Sequence, residues 1–280
     1  MALTFLLVVG TGPQAGARAP VVVAAGDIAC PGHPCRTQRA TARLIGVIDP
    51  RAVLTLGDNQ YERGSLAQYR ASYGPTWGRF KTRTHPAPGN HDYETAGAAG
   101  YFRYFGWRAH RRSGGMYSFD IGAWHLVSID SGRGRIEAWQ LRWVRRDLRR
   151  DDHRCELAYW HHPRWSSGAV HGSQPAMAEL WRVLERQGVD VALNGHDHGY
   201  ERFRRLDAGG RPAPKTGVRE FVVGTGGRSL YPFGPAIRGS RRRLQRYGVL
   251  RLVLHPRSYG WRFVSVGRRI LDRGNSICHR

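Results

Sequence analysis

The sequence of 280 residues lacks any hydrophobic run long enough to cross a bilayer, which argues against a membrane-spanning helix. Its apolar run from Ala2 to Val9 is followed by small residues and resembles the core of a secretory signal. No basic residue precedes that core, however, and Pro20 is a poor residue to follow a cleavage site. We expect residues 1–19 to be a candidate leader segment, residues 20–280 to form one domain, and the protein to be secreted or extracytoplasmic.

Cysteine is also scarce, since the chain has 4 cysteines and no Cys-x-x-Cys pair. This argues against a thiolate metal site. An even number favours disulfide bonds in an oxidising compartment. Cys30 and Cys35 are close enough in sequence to pair, which leaves Cys155 for Cys278. Of the three connectivities we favour this one.

Acidic residues are few, and lysine occurs only at Lys81 and Lys215. The chain has 44 Lys and Arg against 21 Asp and Glu, which gives a formal net charge of +23. An arginine-favouring genome is one explanation of this bias. A positive field that attracts anionic substrates or nucleic acid is the functional alternative. The arginines are scattered and are not interleaved with aromatic residues, so nucleic acid is the less favoured partner.

The apolar runs predict one mixed α/β domain. Residues 21–25 and 52–56 have the composition of buried strands, with a helical pattern at about 37–47 between them. Further helices are predicted at 136–149 and 174–187. Further strands are predicted at 116–120, 123–129, 156–160, 189–194 and 220–224, followed by two antiparallel strands in the tail. Alternating strands and helices followed by a strand-rich end are typical of a mixed α/β fold.

Side chains that bind metals recur directly after the apolar runs. Asp27, Asp58, Asn90, His161 and His196 each stand at the end of such a run. In α/β sheets, ligands bind beyond the carboxyl ends of the strands, so we expect these residues to converge on one crevice. Carboxylate, amide and imidazole ligands suit cations such as zinc, manganese or iron.

The order of these residues resembles that of the calcineurin-like metallophosphoesterases, most closely the purple acid phosphatase branch. The resemblance rests on the blocks GDIA (26–29), GDNQY (57–61), GNHD (89–92), WHHP (160–163) and GHDH (195–198). It extends over nearly the whole chain from Val21. It implies an α/β four-layer sandwich, in which two packed mixed β-sheets are flanked by helices.

By position, the resemblance also implies a dinuclear metal site. The ligands of the first ion would be Asp27, Asp58, Tyr61 and His198. The ligands of the second ion would be Asp58, which bridges the two, with Asn90, His161 and His196. Two such cations would clamp a phosphate oxygen and provide a metal-bound hydroxide near neutral pH.

One block departs from the wider superfamily. Many members have Asp-x-His where this chain has Asp27-Ile28-Ala29, and an alanine cannot bind a metal. Tyr61, three residues after Asp58, is the candidate replacement, as in the purple branch. A phenolate oxygen favours a hard and highly charged ion, so we expect Fe(III) at this site. Zinc, manganese or Fe(II) is expected at the other.

His161 and His162 are adjacent in the sequence, and one of them has to be chosen as the metal ligand. Successive side chains on a strand face opposite ways, so both are not expected to reach the same metal. Comparison with the family block favours His161 as the ligand and His162 as its neighbour.

The resemblance also assigns roles around the metals. His91 would hydrogen-bond the phosphate and protonate the leaving group, a role that an imidazole can fill near neutral pH. His171 lies near the position of another substrate-side histidine. Asp92 and Asp197 would hold neighbouring imidazoles in orientation. The GTGG stretch at 224–227 predicts a close approach of backbone to the site, and histidines outside the blocks, such as His125 and His153, receive no role.

The sequence thus favours a metal-dependent hydrolase of phosphate esters that acts on a small phosphorylated substrate as a phosphomonoesterase. A phosphodiesterase or nuclease is the alternative that the positive charge favours. A phosphate- or nucleic-acid-binding protein without turnover is less favoured, because every metal-ligand position of the purple acid phosphatase branch is filled.

Overall fold

The computed structural model describes residues 18–279, in which two β-sheets hold 13 strands. Residues 1–17 of the predicted leader lie outside the described residues. The strands are β1 (Val21–Ala25), β2 (Ala52–Leu56), β3 (Thr84–Ala87), β4 (Tyr117–Ile121), β5 (Trp124–Ser128), β6 (Cys155–Tyr159), β7 (Val191–Asn194), β8 (Tyr200–Leu206), β9 (Val218–Val223), β10 (Ser240–Leu244), β11 (Gly248–His255), β12 (Ser258–Ser265) and β13 (Ile270–Ile277).

The helices are short, except for three that flank the sheets. The α-helices are α1 (Arg36–Ile48), α2 (Leu66–Gln68), α3 (Asn90–Tyr93), α4 (Ala99–Phe105), α5 (Ala138–Arg150) and α6 (Ala178–Gln187). A π-helical segment at Tyr69–Tyr73 and several 3-10 turns, including Trp77–Arg83 and Pro175–Met177, connect them.

Both sheets are mixed and have a parallel centre. The six-stranded sheet has the order β13-β12-β11-β1-β2-β3, and its last three strands run parallel. The seven-stranded sheet has the order β10-β8-β9-β7-β6-β5-β4, in which β5, β6, β7 and β9 run parallel. Parallel neighbours end at the same edge of a sheet, so each sheet presents several strand ends to one crevice.

The two sheets share one apolar core between them. Side chains such as Val22 and Leu54 from one sheet belong to the same buried cluster as Leu157 and Leu193 from the other. Helix α1 packs on β11, outside the six-stranded sheet. Helices α5 and α6 contact each other and share a second core with residues of the seven-stranded sheet, such as Ala158 on β6. These layers confirm the predicted α/β sandwich of two mixed sheets flanked by helices.

Most elements lie where the sequence predicts them. The helix predicted at 37–47 is α1, which ends where Asp49 adopts a left-handed φ of 48° and its N–H bonds the Ile45 carbonyl at 2.9 Å. The helix predicted from 174 begins instead as a 3-10 turn, and α6 starts at Ala178. Strands β3, β8, β10 and β13 were not predicted.

Two disulfide bonds confirm the favoured connectivity. Cys30 pairs with Cys35, and Cys155 pairs with Cys278. The second bond ties the start of β6 to the end of β13, and so links the two sheets. Among residues 18–279, no helix has both the length and the hydropathy that crossing a bilayer requires.

Candidate metal centre

Each candidate ligand lies just beyond the carboxyl end of a parallel strand, and glycines allow the chain segments to approach closely. The Asp27 backbone N–H donates to the Gly57 carbonyl at 3.1 Å, which places the end of β1 beside the end of β2. A Cβ atom on Gly57 would lie 2.5 Å from His161 Nδ1, and one on Gly89 would lie 2.2 Å from Asp58 Oδ1. These positions therefore require glycine.

Three residues of the centre adopt the left-handed backbone conformation that L-residues rarely adopt. The φ angle is 59° at Asp27, 47° at Asp58 and 69° at His196. Each such residue costs about 1 kcal/mol, and such strain concentrates at functional sites. Hydrogen bonds hold the conformation, since Asp27 Oδ2 accepts from the His196 backbone N–H at 2.9 Å and Asp58 Oδ1 accepts from the His91 backbone N–H at 2.8 Å.

Tyr61 Oη lies at the middle of a first group of ligand atoms. It is 2.9 Å from Asp27 Oδ1, 2.9 Å from Asp58 Oδ2 and 3.0 Å from His198 Nε2. The His198 nitrogen is also 3.2 Å from Asp27 Oδ1. All four residues are at most 2% exposed. One phenolic proton cannot satisfy three neighbours, whereas a cation could bind all four donor atoms.

His161 Nε2 is the centre of a second group. It lies 3.4 Å from Asp58 Oδ2, 3.1 Å from Asn90 Oδ1 and 3.2 Å from His196 Nδ1. Because Asp58 Oδ2 also contacts Tyr61 Oη, the Asp58 carboxylate stands between the two groups. This is the position that a bridging ligand requires.

Backbone carbonyls bind the second nitrogen of two of these imidazoles. His161 Nδ1 lies 2.8 Å from the Leu56 carbonyl, and His198 Nδ1 lies 2.6 Å from the Ser229 carbonyl. If these Nδ1 atoms donate, each Nε2 presents a lone pair to the centre, as in many metal-binding histidines. The donor set of carboxylate, phenol, amide and imidazole, without thiolate, therefore fits two hard or borderline cations.

Burial and mutual charge perturb the titration of these ligands. Burial tends to raise the pKa of Asp58, but attraction and a hydrogen bond from His161 outweigh it and hold that pKa below its usual value. Burial tends to lower the pKa of His161, but Asp58 outweighs it and raises that pKa to about 9. Burial and three neighbouring histidines lower the pKa of His196. Asp58 is therefore ionised at neutral pH.

His162 lies closer to the ligands than the alternation of side chains along a strand suggests. Strand β6 ends at Tyr159, so both tandem histidines lie beyond it and the alternation does not separate them. The His162 ring is 4.3 Å from the His196 ring, and a ligand atom from each of His161, His162 and His196 lies within 4.8 Å of the others. His162 Nδ1 also contacts Ser131 Oγ at 3.1 Å.

Asp92 holds the backbone of two blocks together. Its Oδ2 accepts from the backbone N–H groups of Asn59 at 3.2 Å and Gly89 at 2.9 Å, and its Oδ1 accepts from the Tyr69 hydroxyl at 2.6 Å. Burial, followed by repulsion from Asp58, raises the pKa of Asp92 to about 6. These contacts position the chain around Asp58 and Asn90 and so act on the ligands through the backbone, not through an imidazole.

His91 lies at the rim of the crevice. Its Nδ1 is 2.6 Å from the Glu62 carbonyl, and its ring centre is 4.3 Å from that of Tyr61. The side chain is 30% exposed, so solvent can reach it.

His171 is exposed on the other side of the crevice. Its ring stacks on that of His196 at 4.1 Å. Its backbone N–H donates to Asp197 Oδ1 at 3.3 Å, and so Asp197 holds the segment that carries His171. Burial raises the pKa of Asp197.

Three residues at the centre were missed by the sequence analysis. The Arg228 guanidinium pairs with the Glu62 carboxylate and lies 5.0 Å from the centre of the Tyr61 ring. The Tyr231 ring stacks on that of His198 at 3.9 Å. Arg228 and Tyr231 follow the GTGG stretch, which does approach the site closely, since the Gly226 N–H donates to the Gly26 carbonyl at 2.9 Å. Arg228 and Tyr231 follow the end of β9, as the candidate ligands follow other strands, and this position in the sequence could have indicated them.

Comparisons with known proteins agree with this geometry. The calcineurin-like phosphoesterase family matches residues 20–200 of the chain. Purple acid phosphatase 15 of Arabidopsis thaliana is 29% identical over 223 residues, which cover 65% of this chain and 41% of that protein. Acid phosphatase type 7 of Homo sapiens is 28% identical over 246 residues, which cover 72% of this chain and 54% of that protein.

A solved structure shares the fold. Purple acid phosphatase PPD1 from seeds of yellow lupin (Lupinus luteus) matches with a TM-score of 0.73 at 19% identity, over 92% of this chain and 53% of that one. The chain thus spans about half the length of these relatives.

Proposed function

The chain belongs to the calcineurin-like phosphoesterase family, and on that premise we propose that it hydrolyses phosphate monoesters at a dinuclear metal centre. The relatives described above are named purple acid phosphatase and acid phosphatase. The observation that carries the proposal is the Asp58 carboxylate, whose Oδ2 lies 2.9 Å from Tyr61 Oη and 3.4 Å from His161 Nε2. A bridging carboxylate between two ligand groups is what a two-metal hydrolase needs.

The two ligand groups differ in chemistry, and we assign the ions accordingly. The group around Tyr61 contains a phenol and two carboxylates, which suit Fe(III). The group around His161 contains two imidazoles, an amide and the shared carboxylate, which suit zinc, manganese or Fe(II). Two ions bound here would supply the Lewis acidity that polarises phosphate oxygens and activates water.

The residues at the rim would handle the proton and the substrate. The Glu62 carbonyl occupies Nδ1 of His91 at 2.6 Å, so the proton that His91 gives to the leaving oxygen is the one on Nε2. His171, exposed and stacked on His196, would contact the phosphate from the opposite side. Asp92, Asp197 and His162 would hold the ligand-bearing segments in place.

The net charge of +23 favours a second candidate, a phosphodiesterase or nuclease. A compartment outside the cytoplasm fits the two disulfide bonds and the leader-like run at 2–9.

Hydrolysis of nitrophenyl phosphate and of bis(nitrophenyl) phosphate tests the proposal in samples loaded with iron, zinc or manganese. We expect Asp58→Asn to lose both bound metal and turnover, because it removes the shared anionic ligand. We expect His91→Ala to keep its metal but to lose about 10²- to 10⁴-fold in rate, the usual contribution of a general acid. The ratio of the two substrates distinguishes a monoesterase from a diesterase.

The control is Glu179→Gln, which changes an exposed carboxylate on α6 outside the centre and should leave both bound metal and turnover unchanged. Full turnover in Asp58→Asn would exclude the candidate metal centre as the site of hydrolysis. An unchanged rate in His91→Ala would exclude that residue as the acid but leave the metal centre standing.

A further inference from the structure

A second cluster of histidine and aspartate side chains lies away from the candidate metal centre. It joins the β4–β5 hairpin to the end of α5. His125 is near the amino end of β5, whereas the metal centre is built at the carboxyl ends of the parallel strands. The cluster consists of Asp120, His125, Asp151 and His153, and we refer to it as the hairpin cluster.

The ligand atoms of the hairpin cluster converge. His125 Nδ1 lies 2.8 Å from Asp120 Oδ1 and 3.5 Å from Asp151 Oδ1. His153 Nδ1 lies 2.6 Å from the same Asp151 oxygen. One ligand atom from each of the four residues lies within 4.8 Å of the others. In a tetrahedral zinc site neighbouring ligand atoms are about 3.3 Å apart, so small movements of these side chains are enough to form one.

A fifth residue holds His125 in the orientation that a metal ligand needs. His125 Nε2 lies 2.9 Å from Asp147 Oδ2, and Asp147 Oδ1 accepts from the Ser118 hydroxyl at 2.7 Å. With Nε2–H donating to Asp147 and Nδ1 deprotonated, the lone pair of Nδ1 would face Asp120 and Asp151. A carboxylate behind the imidazole is the usual arrangement at metal-binding histidines.

The burial and charge of the hairpin cluster also suit a cation. The side chains of His125 and Asp151 are 11% and 6% exposed, whereas that of Asp120 is 55% exposed and leaves access from solvent. Once an ion replaces the proton that His125 shares with Asp120, two carboxylates and two neutral imidazoles would carry a charge that one divalent ion balances. With Asp147, three carboxylates meet here in a chain that has 21 acidic residues against 44 basic ones.

We propose that the hairpin cluster binds one divalent transition metal, with zinc as the best match, through Asp120, His125, Asp151 and His153. Two imidazoles favour zinc and its neighbours over calcium or magnesium, which prefer oxygen ligands alone. The ion would fasten the β4–β5 hairpin to α5. The proposal does not depend on the proposed phosphatase activity.

Counting of bound zinc tests the proposal on the full chain. The protein is stripped with a chelator, equilibrated with zinc, dialysed and measured by plasma mass spectrometry. We expect the double variant Asp120→Asn/His153→Ala to bind one equivalent fewer than the unchanged protein. Only the difference in zinc content between the two proteins is used, so the result does not depend on how many ions the candidate metal centre holds.

Further variants separate ligands from structural neighbours. Asp147→Asn keeps the four ligands, and we expect it to weaken zinc binding by about 10- to 100-fold, as loss of such an outer partner does. His255→Ala changes an exposed histidine at the end of β11 and should bind as much zinc as the unchanged protein. In cobalt-loaded protein, the visible bands of a tetrahedral site should be weaker in Asp120→Asn, because one of the four ligands loses its charge.

Equal zinc content in the unchanged protein and the double variant would overturn the proposal. The hairpin cluster would then be a set of hydrogen bonds around His125 and no metal site. If the unchanged protein had no phosphatase activity but still bound one zinc more than the double variant, the proposed function would be wrong and the metal site at the hairpin cluster would stand.

Discussion

Tyr61 illustrates how position decides the chemistry of one residue. The chain has 12 tyrosines, and the Tyr61 hydroxyl contacts two carboxylates and an imidazole within 3.0 Å. Tyr231 lies in the same centre but contributes its ring, which stacks on His198 at 3.9 Å. The two residues therefore form a natural pair for a test of the ligand role.

We expect Tyr61→Phe to abolish the visible charge-transfer band of the iron-loaded protein, because the phenolic oxygen that gives rise to it is removed. Tyr231→Phe keeps its ring and should keep the band. Absorption spectra of both variants at equal iron content check this. A band that survives in Tyr61→Phe would rule out the residue as a ligand.

At the scale of elements, Asp272 on β13 binds the two sheets together along one edge of the molecule. Its carboxylate accepts from Arg202 Nε at 2.7 Å and from the Tyr200 hydroxyl at 2.6 Å, both on β8. It also accepts from the Trp261 indole at 3.3 Å on β12. Burial tends to raise the pKa of Asp272, but the hydrogen bonds from Arg202 and Tyr200 outweigh it and hold the pKa below its usual value of 3.8.

We expect Asp272→Asn to lower the free energy of unfolding by about 3 kcal/mol at neutral pH, because Arg202 is left without its charged partner. A lowered pKa contributes stability above the unfolded value of 3.8, and this is lost as the pH falls through the folded value. The difference in free energy of unfolding between Asp272→Asn and the unchanged protein should therefore shrink as the pH falls below 3.8. Denaturant unfolding at several pH values measures it.

Asp152→Asn is the matched control for this prediction, since Asp152 is exposed, and we expect it to change stability by no more than about 0.5 kcal/mol. A difference for Asp272→Asn that stays constant with pH would show that its charge does not contribute to stability.

At the scale of the whole molecule, the two disulfide bonds differ mainly in the loops they close. Cys30 and Cys35 are separated by 5 positions, whereas Cys155 and Cys278 are separated by 123. A crosslink restricts the unfolded chain more when it closes a longer loop. The long-range bond also joins strands that belong to different sheets.

We expect replacement of both Cys155 and Cys278 by serine to lower the free energy of unfolding by about 5 kcal/mol, and replacement of Cys30 and Cys35 by about 2 kcal/mol. Replacing both partners avoids a free thiol in each case. Thermal and denaturant unfolding of the two double variants check the order. Equal losses would mean that native contacts outweigh loop closure.

Local patterns in the sequence were enough to predict the central strands, the flanking helices and the candidate ligands. Central parallel strands are buried on both faces and are therefore visible as apolar runs, as at 21–25 and 52–56. The ligand residues follow these runs directly, so their convergence could be inferred from the rule for parallel strands. The alternation of side chains along a strand does not apply to His161 and His162, because both lie beyond the end of β6, and the choice of His161 as the ligand stays a prediction.

The tertiary structure decided what no local pattern contains. Strands β10 and β13 lie at sheet edges, are largely polar and exposed, and have no apolar run to predict them. Arg228 reaches Glu62 across 166 positions of sequence, and His125 meets Asp147 and Asp151 only when the hairpin packs on α5. Such partners are set by packing between distant elements. The sequence therefore determined which residues can bind metals, and the fold determined which of them meet.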